Sequence, residues 1–347
     1  MTDYLLAYYQ AIQDGSVTVG KWIKLFYECL IRGLHEQRFT FDAKKANRAI
    51  KFIETFCHHC EGREDLLKLE LWQKAIVSVI FGVLDHDGNR QFREVVVIVA
   101  RKNGKSLFAA AIMAYCVFLD GEYGAKVFCV APKLDQADLV YSAFWQTIAK
   151  EPELAALIKR RKSDYYVEST NSSVKKLAFN AKKADGFNPH LTVCDEIASW
   201  PGDNGLKQYE VMKSALGARR QPLILSISTS GYVNEGIYDE LIKRSTRFLL
   251  GDSKESRLAP FLYMIDDPAR WNDINELRKS NPNLGVSVSV DYLLEEIAVA
   301  EGSLSKRAEF LTKYANIKQS SSQAWLSAQD VERASGAPLR LEDFRDC

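Results

Sequence analysis

The chain has 347 residues, of which 47% are hydrophobic and 26% are charged. This length and composition are sufficient to bury a large core, and they exclude disordered and collagen-like classes of protein. Lysines and arginines total 46 against 45 aspartates and glutamates, so the net charge of +1 gives no overall attraction to nucleic acid or to anionic membranes.

Two further features bear on location. The longest apolar run covers residues 107–119, well short of the roughly 20 residues that cross a bilayer. The N-terminus lacks the basic and apolar regions of a secretion signal, so we expect a cytoplasmic protein without membrane contact.

The seven cysteines are scattered and lie mostly in apolar runs, which predicts reduced thiols and no disulfides.

Hydrophobic periodicity predicts the order of the elements. Residues 4–60 carry apolar side chains at helical spacing, which predicts a helical N-terminal region over residues 1–60. Residues 94–99 are apolar on both faces, as in a strand covered by helices on both sides. Alternating patterns follow, with helices predicted at 107–119, 135–149 and 206–216 and strands at 125–131, 190–195 and 222–229. This alternation predicts an α/β domain over residues 61–250, with a mostly parallel central sheet flanked by helices.

Two segments stand apart from this alternation. Residues 165–168 and 174–179 read as a hairpin inserted beside the sheet. The polar stretch 251–257 reads as a linker to a second region over residues 251–347, with helical patterns at 291–300 and 305–317.

The first predicted strand of the sheet runs into the sequence RKNGKS at residues 101–106 and then into a helix. A strand, a glycine-containing loop and a helix in this order are typical of a P-loop, which binds phosphate oxygens with backbone N–H groups. Asn103 and Gly104 would then line the phosphates. Lys105 would reach the β- and γ-phosphates, and the Ser106 hydroxyl would bind Mg²⁺. Val99 stands where the consensus has glycine.

A second strand delivers two adjacent acids, Asp195 and Glu196, at its carboxyl end. That edge of a parallel sheet is the ligand-binding edge. Asp195 would hold Mg²⁺ and Glu196 would deprotonate the attacking water, the alternative being a strand that simply ends in solvated acids. The two motifs together predict a P-loop NTPase of the additional-strand catalytic-glutamate type, using ATP and Mg²⁺. A third strand ends in Ser228, Thr229 and Ser230, hydroxyls that could sense the γ-phosphate or could simply form a turn.

With these strands in place, the sequence resembles the large terminase subunit of tailed bacteriophages, in the branch typified by phage HK97. The resemblance runs from about residue 41 to residue 326, and the motifs that carry it are residues 101–106, 129–137, 185–190, 194–196, 220–223, 228–231 and 281–285. It implies that Arg101 faces the nucleotide and that Gln73, with Trp72, lies on the adenine side. For Trp72, packing in a helix core is the equal alternative. The resemblance also implies that residues 228–230 couple hydrolysis to DNA movement.

The same resemblance implies partners and a second activity. Such motors work as rings of identical subunits on double-stranded DNA, with a small terminase subunit, a portal protein and an arginine supplied by the neighbouring subunit, which we leave unassigned. The family's second half is an RNase H-like nuclease that uses two metal ions. We expect residues 251–347 to hold the linker and an incomplete nuclease domain, without the strands that carry its metal ligands. Asp266 and Asp267 fall too early in the family pattern to be those ligands.

We therefore expect an ATP-driven DNA-packaging motor. A truncated or split terminase that binds nucleotide or partners without packaging DNA is the first alternative. A helicase-like ATPase is the second. Two other signals are discounted: residues 57–60, which have zinc-ligand types but no second cluster, and the basic run 159–162, which reads as a solvated charge run.

Overall fold

A computed structural model of the chain describes residues 2–179, 187–232 and 235–319. The α-helices of these residues are α1 (Tyr4–Gln13), α2 (Lys21–His35), α3 (Ala43–Phe56), α4 (Leu71–Gly82), α5 (Lys105–Phe118), α6 (Leu134–Ile148), α7 (Pro152–Leu157), α8 (Gly202–Ser214), α9 (Ile237–Leu249), α10 (Ile274–Leu277), α11 (Val290–Glu301) and α12 (Leu304–Lys313). The strands are β1 (Thr40–Phe41), β2 (Val83–Leu84), β3 (Glu94–Ile98), β4 (Lys126–Ala131), β5 (Ile158–Arg160), β6 (Tyr165–Val167), β7 (Ser172–Ala178), β8 (Leu191–Asp195), β9 (Leu223–Ser228) and β10 (Leu258–Leu262).

An eight-stranded sheet in the order β10-β3-β9-β8-β4-β7-β6-β5 forms the centre of the molecule. All pairs from β10 to β7 are parallel, and β6 and β5 continue the sheet antiparallel. The predicted α/β class and the mostly parallel sheet are confirmed. β9 lies between β3 and β8, and this inserted strand is the additional strand of the predicted NTPase type.

The two ends of the sheet differ from the sequence-based expectation. The predicted hairpin is present as β6 and β7, but β7 pairs with β4, so the hairpin extends the main sheet instead of lying beside it. At the other end, β10 pairs in parallel with β3. The sheet therefore continues beyond residue 250, and the polar stretch 251–257 is a loop between α9 and an edge strand.

The N-terminal helices share the hydrophobic core of the sheet. The predicted helical character of this region is confirmed by α1, α2 and α3. Phe26 of α2 packs edge-on against Phe261 of β10, with ring centroids 4.8 Å apart. Phe52 of α3 contacts Tyr115 of α5 in the same way, at 5.8 Å. These aromatic contacts pack α2 against the edge strand β10 and α3 against α5.

A second, smaller hydrophobic core follows the sheet along the chain. It is built from α10, α11 and α12, with Leu277, Leu293 and Phe310 buried inside it. The six cysteines within the described ranges are free thiols. Among the helices of the described ranges, none combines the length and the apolar character needed to span a membrane.

Candidate active site

The register of three neighbouring strands brings the sequence motifs to one edge of the sheet. Ile98, the last residue of β3, pairs with Ser228, the last residue of β9. Asp195, the last residue of β8, pairs with Ile227 of β9. Since these strands are parallel, the loop after β3, the acids at the end of β8 and the hydroxyls after β9 share the carboxyl edge, where parallel sheets bind ligands.

The loop of residues 99–104 joins β3 to the N-terminus of α5. Val99 is buried and its N–H donates to the carbonyl oxygen of Ser228 at 3.1 Å, so this residue prolongs the β3–β9 pairing. Gly104 has a left-handed backbone with φ of 76°. Glycine adopts this conformation without the penalty of a Cβ atom, which permits the tight entry into the helix. Lys102 also has positive φ, at 66°.

Lys105 and Ser106 form the first turn of α5, where free N–H groups and the helix dipole favour anions. The Nζ of Lys105 donates to the carbonyl oxygens of Val99 at 3.2 Å and Ala100 at 3.3 Å. Burial lowers the pKa of Lys105, while the nearby Glu196 and Asp195 act in the opposite direction. The ammonium group therefore lies inside the curve of the loop, with weak carbonyl partners that a phosphate oxygen could replace.

The side chain of Asn103 is engaged in hydrogen bonds within the chain. Asn103 is fully buried. Nδ2 donates at 3.1 Å to the carbonyl oxygens of Ala100 and Arg101 and to Oδ1 of Asn281. Because its donor and acceptor atoms are already engaged, the side chain of Asn103 shapes the loop and does not line a phosphate site.

Asp195 is 9% exposed at the end of β8. Burial, followed by the charge of Glu196, raises the pKa of Asp195 to about 7, and Lys105 opposes the shift. The indole N–H of Trp200 donates to the backbone carbonyl of Asp195 at 2.9 Å. Within the described residues, its carboxylate has no side-chain hydrogen-bond donor. The carboxylate of Asp195 offers oxygen ligands of the kind that Mg²⁺ prefers.

Glu196 adopts a left-handed backbone with φ of 48° and ψ of 50°, an uncommon conformation for a residue with a side chain. Its Oε1 accepts hydrogen bonds from the Ser228 hydroxyl at 3.3 Å, the Thr229 hydroxyl at 2.6 Å and the Thr229 amide at 3.2 Å. The sequence placed both motifs at the same edge but gave no sign of this direct contact. The backbone turn at Glu196 is what aims the carboxylate at β9.

A cleft of about 300 Å³ opens beside these residues, and Arg101, Glu196, Thr229 and Ser230 line it. Arg101 is exposed, and its backbone N–H donates to the carbonyl oxygen of Lys313 at 2.9 Å. The Ser230 amide donates to Oδ1 of Asn316 at 3.1 Å. A guanidinium and a carboxylate thus face one open space next to the phosphate-binding loop.

Gln73 and Trp72 lie at the start of α4, beside the loop. Oε1 of Gln73 accepts from the Glu70 amide at 2.9 Å, and its Nε2 lies 4.0 Å from the position that a Cβ of Gly104 would occupy. Trp72 is buried against Phe108 and Tyr263. The structure therefore gives the indole of Trp72 the packing role that the sequence had left as an alternative. Trp72 also forms one wall of a cavity of about 410 Å³.

Other candidate ligands are engaged elsewhere. Asp266 accepts from the Lys21 amide at 2.8 Å and pairs with Lys279, and Asp267 caps a short helical turn through the Ala269 amide. Of the motifs named from the sequence, residues 185–186 and everything from 320 onward lie outside the described residues.

Within the described ranges, the one cluster of metal-ligand types is Cys116, Asp120 and His190. The guanidinium of Arg90 pairs with this Asp120 at 2.8 Å.

Comparisons with known proteins identify two family models that match this chain. A family model described as "Terminase large subunit, ATPase domain" matches residues 71–247, and one described as "Terminase large subunit, endonuclease domain" matches residues 256–345. Protein YmfN of Escherichia coli (strain K12) is 32% identical over 163 residues, which are 47% of this chain and 35% of that protein. The crystal structure of the HK97 bacteriophage large terminase shares the fold, with a TM-score of 0.68 and 22% identity over 79% of this chain and 55% of that one. The chain thus spans 35% of the curated relative and 55% of the solved one.

Proposed function

Because this chain belongs to the family of terminase large subunits, we propose that it is the ATP-hydrolysing motor subunit of a phage or prophage terminase, which moves double-stranded DNA into a procapsid. The observation that carries the proposal is the meeting of Lys105, Asp195 and Glu196 at the carboxyl edge of one parallel sheet. A cation, a buried metal-binding carboxylate and a carboxylate free to act as a base are the groups that phosphoryl transfer to water requires.

Each group has a distinct role in this proposal. Lys105 exchanges its carbonyl partners for the β- and γ-phosphates, and the amides at the start of α5 bind phosphate oxygens. Ser106 and Asp195 would hold Mg²⁺, which supplies charge neutralisation of the phosphates when bound. Glu196 accepts the proton of the attacking water, and Arg101 approaches the nucleotide from the facing wall of the cleft.

The adenine would lie near Gln73 and the cavity of about 410 Å³ walled by Trp72 and Pro282. Nε2 of Gln73 lies 4.0 Å from the position that a Cβ of Gly104 would occupy, so its side chain is close enough to fix the base relative to the phosphate-binding loop. Trp72 shapes that side of the cavity by packing.

Coupling to DNA would pass through Ser228, Thr229 and Ser230. Their contacts with Glu196 and Asn316 connect the hydrolytic base to the chain beyond the sheet. Double-stranded DNA, a small terminase subunit and a portal protein are the proposed partners, with identical subunits assembled as a ring. We assign no nuclease ligand among residues 256–319.

The test is Mg²⁺-dependent ATP hydrolysis by the wild-type chain and by Lys105→Ala, each with duplex DNA, single-stranded DNA or neither. We expect duplex DNA to stimulate the wild type most, and Lys105→Ala to lose activity by at least about 100-fold. Lys68→Ala is the matched control, since the exposed Lys68 ammonium donates to the Glu54 carbonyl at the surface, at 3.3 Å. Preferential stimulation by single-stranded DNA would favour a helicase-like ATPase, and absence of hydrolysis by the wild type would contradict the proposal.

A further inference from the structure

Three buried asparagines meet behind the phosphate-binding loop. Asn103 of the loop donates to Oδ1 of Asn281 at 3.1 Å, and its own Oδ1 accepts from the Asn283 amide at 3.0 Å. The Oδ1 of Asn283 accepts from the indole N–H of Trp72 at 2.7 Å. These residues are at most 5% exposed, so water cannot readily replace their hydrogen bonds.

The backbone of the loop is held by the same part of the chain. The amide of Ala100 donates to the Ser280 carbonyl at 3.1 Å, and the amide of Arg101 donates to the Lys313 carbonyl at 2.9 Å. The hydroxyl of Ser287 donates to the Lys102 carbonyl at 2.7 Å. The outer side of the loop is therefore bonded to residues 280–313, whereas its inner side holds the ammonium group of Lys105.

These contacts connect the loop to the second hydrophobic core. Nδ2 of Asn281 donates to the carbonyls of Leu277 at 2.9 Å and Tyr314 at 2.8 Å, both of which belong to that core. The match to the ATPase-domain family model ends at residue 247, and Asn281 and Asn283 fall in the stretch matched by the endonuclease-domain model. The nucleotide site is thus completed by residues outside the segment that carries its motifs.

We propose that Asn281 and Asn283 are positioning residues for nucleotide binding, which set the conformation of loop 99–104 through Asn103 and couple it to the second core. The inference rests on the proposed ATPase function. Separating the loop from residues 280–288 would leave buried polar groups without hydrogen-bond partners. The two segments therefore change conformation together. Coupling of this kind is reciprocal: nucleotide binding also stabilises residues 280–288.

The first test measures the Kd of a fluorescent ADP analogue with Mg²⁺ for the wild type, Asn281→Ala and Asn283→Ala, well below their melting temperatures. We expect Kd to rise about tenfold, and the KM for ATP to rise more than kcat falls. The control is Asn272→Ala, which removes one exposed amide contact with Glu301 of 2.8 Å. The double variant Asn103→Ala/Asn283→Ala is expected to bind about as weakly as either single variant, since both belong to one network.

A second test uses only the wild type, so it does not depend on the folding of the variants. We expect the ADP analogue to slow amide hydrogen exchange in peptides covering residues 280–288 about tenfold, together with slower exchange in residues 99–106. Slower exchange in residues 99–106 alone, or variants that bind the analogue as tightly as the wild type, would overturn the inference and leave the proposed function intact. A wild-type chain that binds no nucleotide would overturn both.

Discussion

The hydroxyl of Thr229 donates a 2.6 Å hydrogen bond to Oε1 of Glu196, and the Thr229 amide donates a second bond of 3.2 Å to the same oxygen. The two residues follow the ends of neighbouring strands β9 and β8, and the left-handed backbone of Glu196 makes the contact possible. One carboxylate oxygen therefore joins the proposed base to the proposed coupling motif. A displacement of residues 228–230 changes the position of the base.

Thr229→Val tests this connection, because it removes the hydroxyl and keeps the shape of the side chain. The hydrogen bond from the Thr229 backbone N–H to Glu196 remains, so the carboxylate is held less firmly but is not released. We expect kcat for ATP hydrolysis to fall about tenfold, in line with the loss of a hydrogen bond to a charged group. The Kd for ATP should stay within about threefold, because Thr229 holds no phosphate in this account.

Thr246→Val is the matched control. The hydroxyl of Thr246 donates to the Lys243 carbonyl on an exposed part of α9, at 3.1 Å. Steady-state kinetics and nucleotide titration of both variants provide the comparison. Equal kcat in Thr229→Val and the wild type would show that the contact has no role in positioning Glu196.

The raised pKa of Asp195, about 7, predicts an unusual pH dependence of stability. A carboxyl group whose pKa is higher in the folded state than in the unfolded state binds more protons when the chain is folded. Its ionisation therefore lowers the free energy of unfolding as the pH rises from about 4 to 7. Without metal at pH 8, Asp195→Asn should therefore unfold at higher denaturant concentration than the wild type. The gain is a few kcal/mol at most, at about 1.4 kcal/mol per pKa unit.

Two comparisons sharpen that test. The difference between Asp195→Asn and the wild type should disappear near pH 4, and Mg²⁺ should stabilise the wild type but not the variant. Asp252→Asn, at an exposed position, should change the free energy of unfolding by no more than about 0.5 kcal/mol. A less stable Asp195→Asn at pH 8 would contradict the electrostatic account of this site.

A buried charge network at the opposite edge of the sheet predicts a large stability effect. Asp120 accepts from Arg90 at 2.8 Å and from His190 at 2.6 Å. Arg90 and His190 are buried, and the side chain of Asp120 is 8% exposed. Asp120→Asn leaves the guanidinium without its counter-charge, so the free energy of unfolding should fall by about 3–5 kcal/mol. Chemical denaturation of the wild type and the variant at pH 7 measures this change in the free energy of unfolding.

The same network has the ordinary pH dependence of a stabilising carboxylate. Burial raises the pKa of Asp120, but the charge of Arg90 and the hydrogen bonds from His190 and Arg90 outweigh it and lower this pKa to about 2. The contribution of Asp120 to stability is therefore complete above about pH 4 and is lost as the pH falls toward 2. Glu168→Gln is the control, because Glu168 pairs with Lys159 at the surface, where such pairs contribute less than about 1 kcal/mol. Similar losses in both variants would contradict the assignment of Asp120 as a buried network centre.

Much of the fold could be predicted from the sequence because the central strands are buried on both faces. Residues 94–98, 191–195 and 223–228 are mostly apolar and buried throughout, and each strand ends at or shortly before polar residues with defined chemistry. Strands of this kind are recognisable without knowledge of their partners, and their parallel order places their ends together.

Edge strands and long-range polar contacts were the parts that the sequence could not predict. β10 contains Pro260, which lacks an N–H and suits an edge strand, so the segment does not look like part of a sheet. The sequence places Asn103 in the P-loop motif but does not show what its side chain contacts. Its partners Asn281 and Asn283 lie about 180 residues away, and only the fold brings them together.

The most direct test of the account is Mg²⁺-dependent ATP hydrolysis by the wild type and Glu196→Gln, with ATP binding measured on both. Glutamine can still accept from Thr229 but cannot take a proton from water, so we expect kcat to fall by at least about 100-fold with Kd for ATP within about threefold. Glu210→Gln, on the exposed face of α8, should behave as the wild type. Hydrolysis by Glu196→Gln at the wild-type rate would contradict the assignment of Glu196 as the base of a terminase motor.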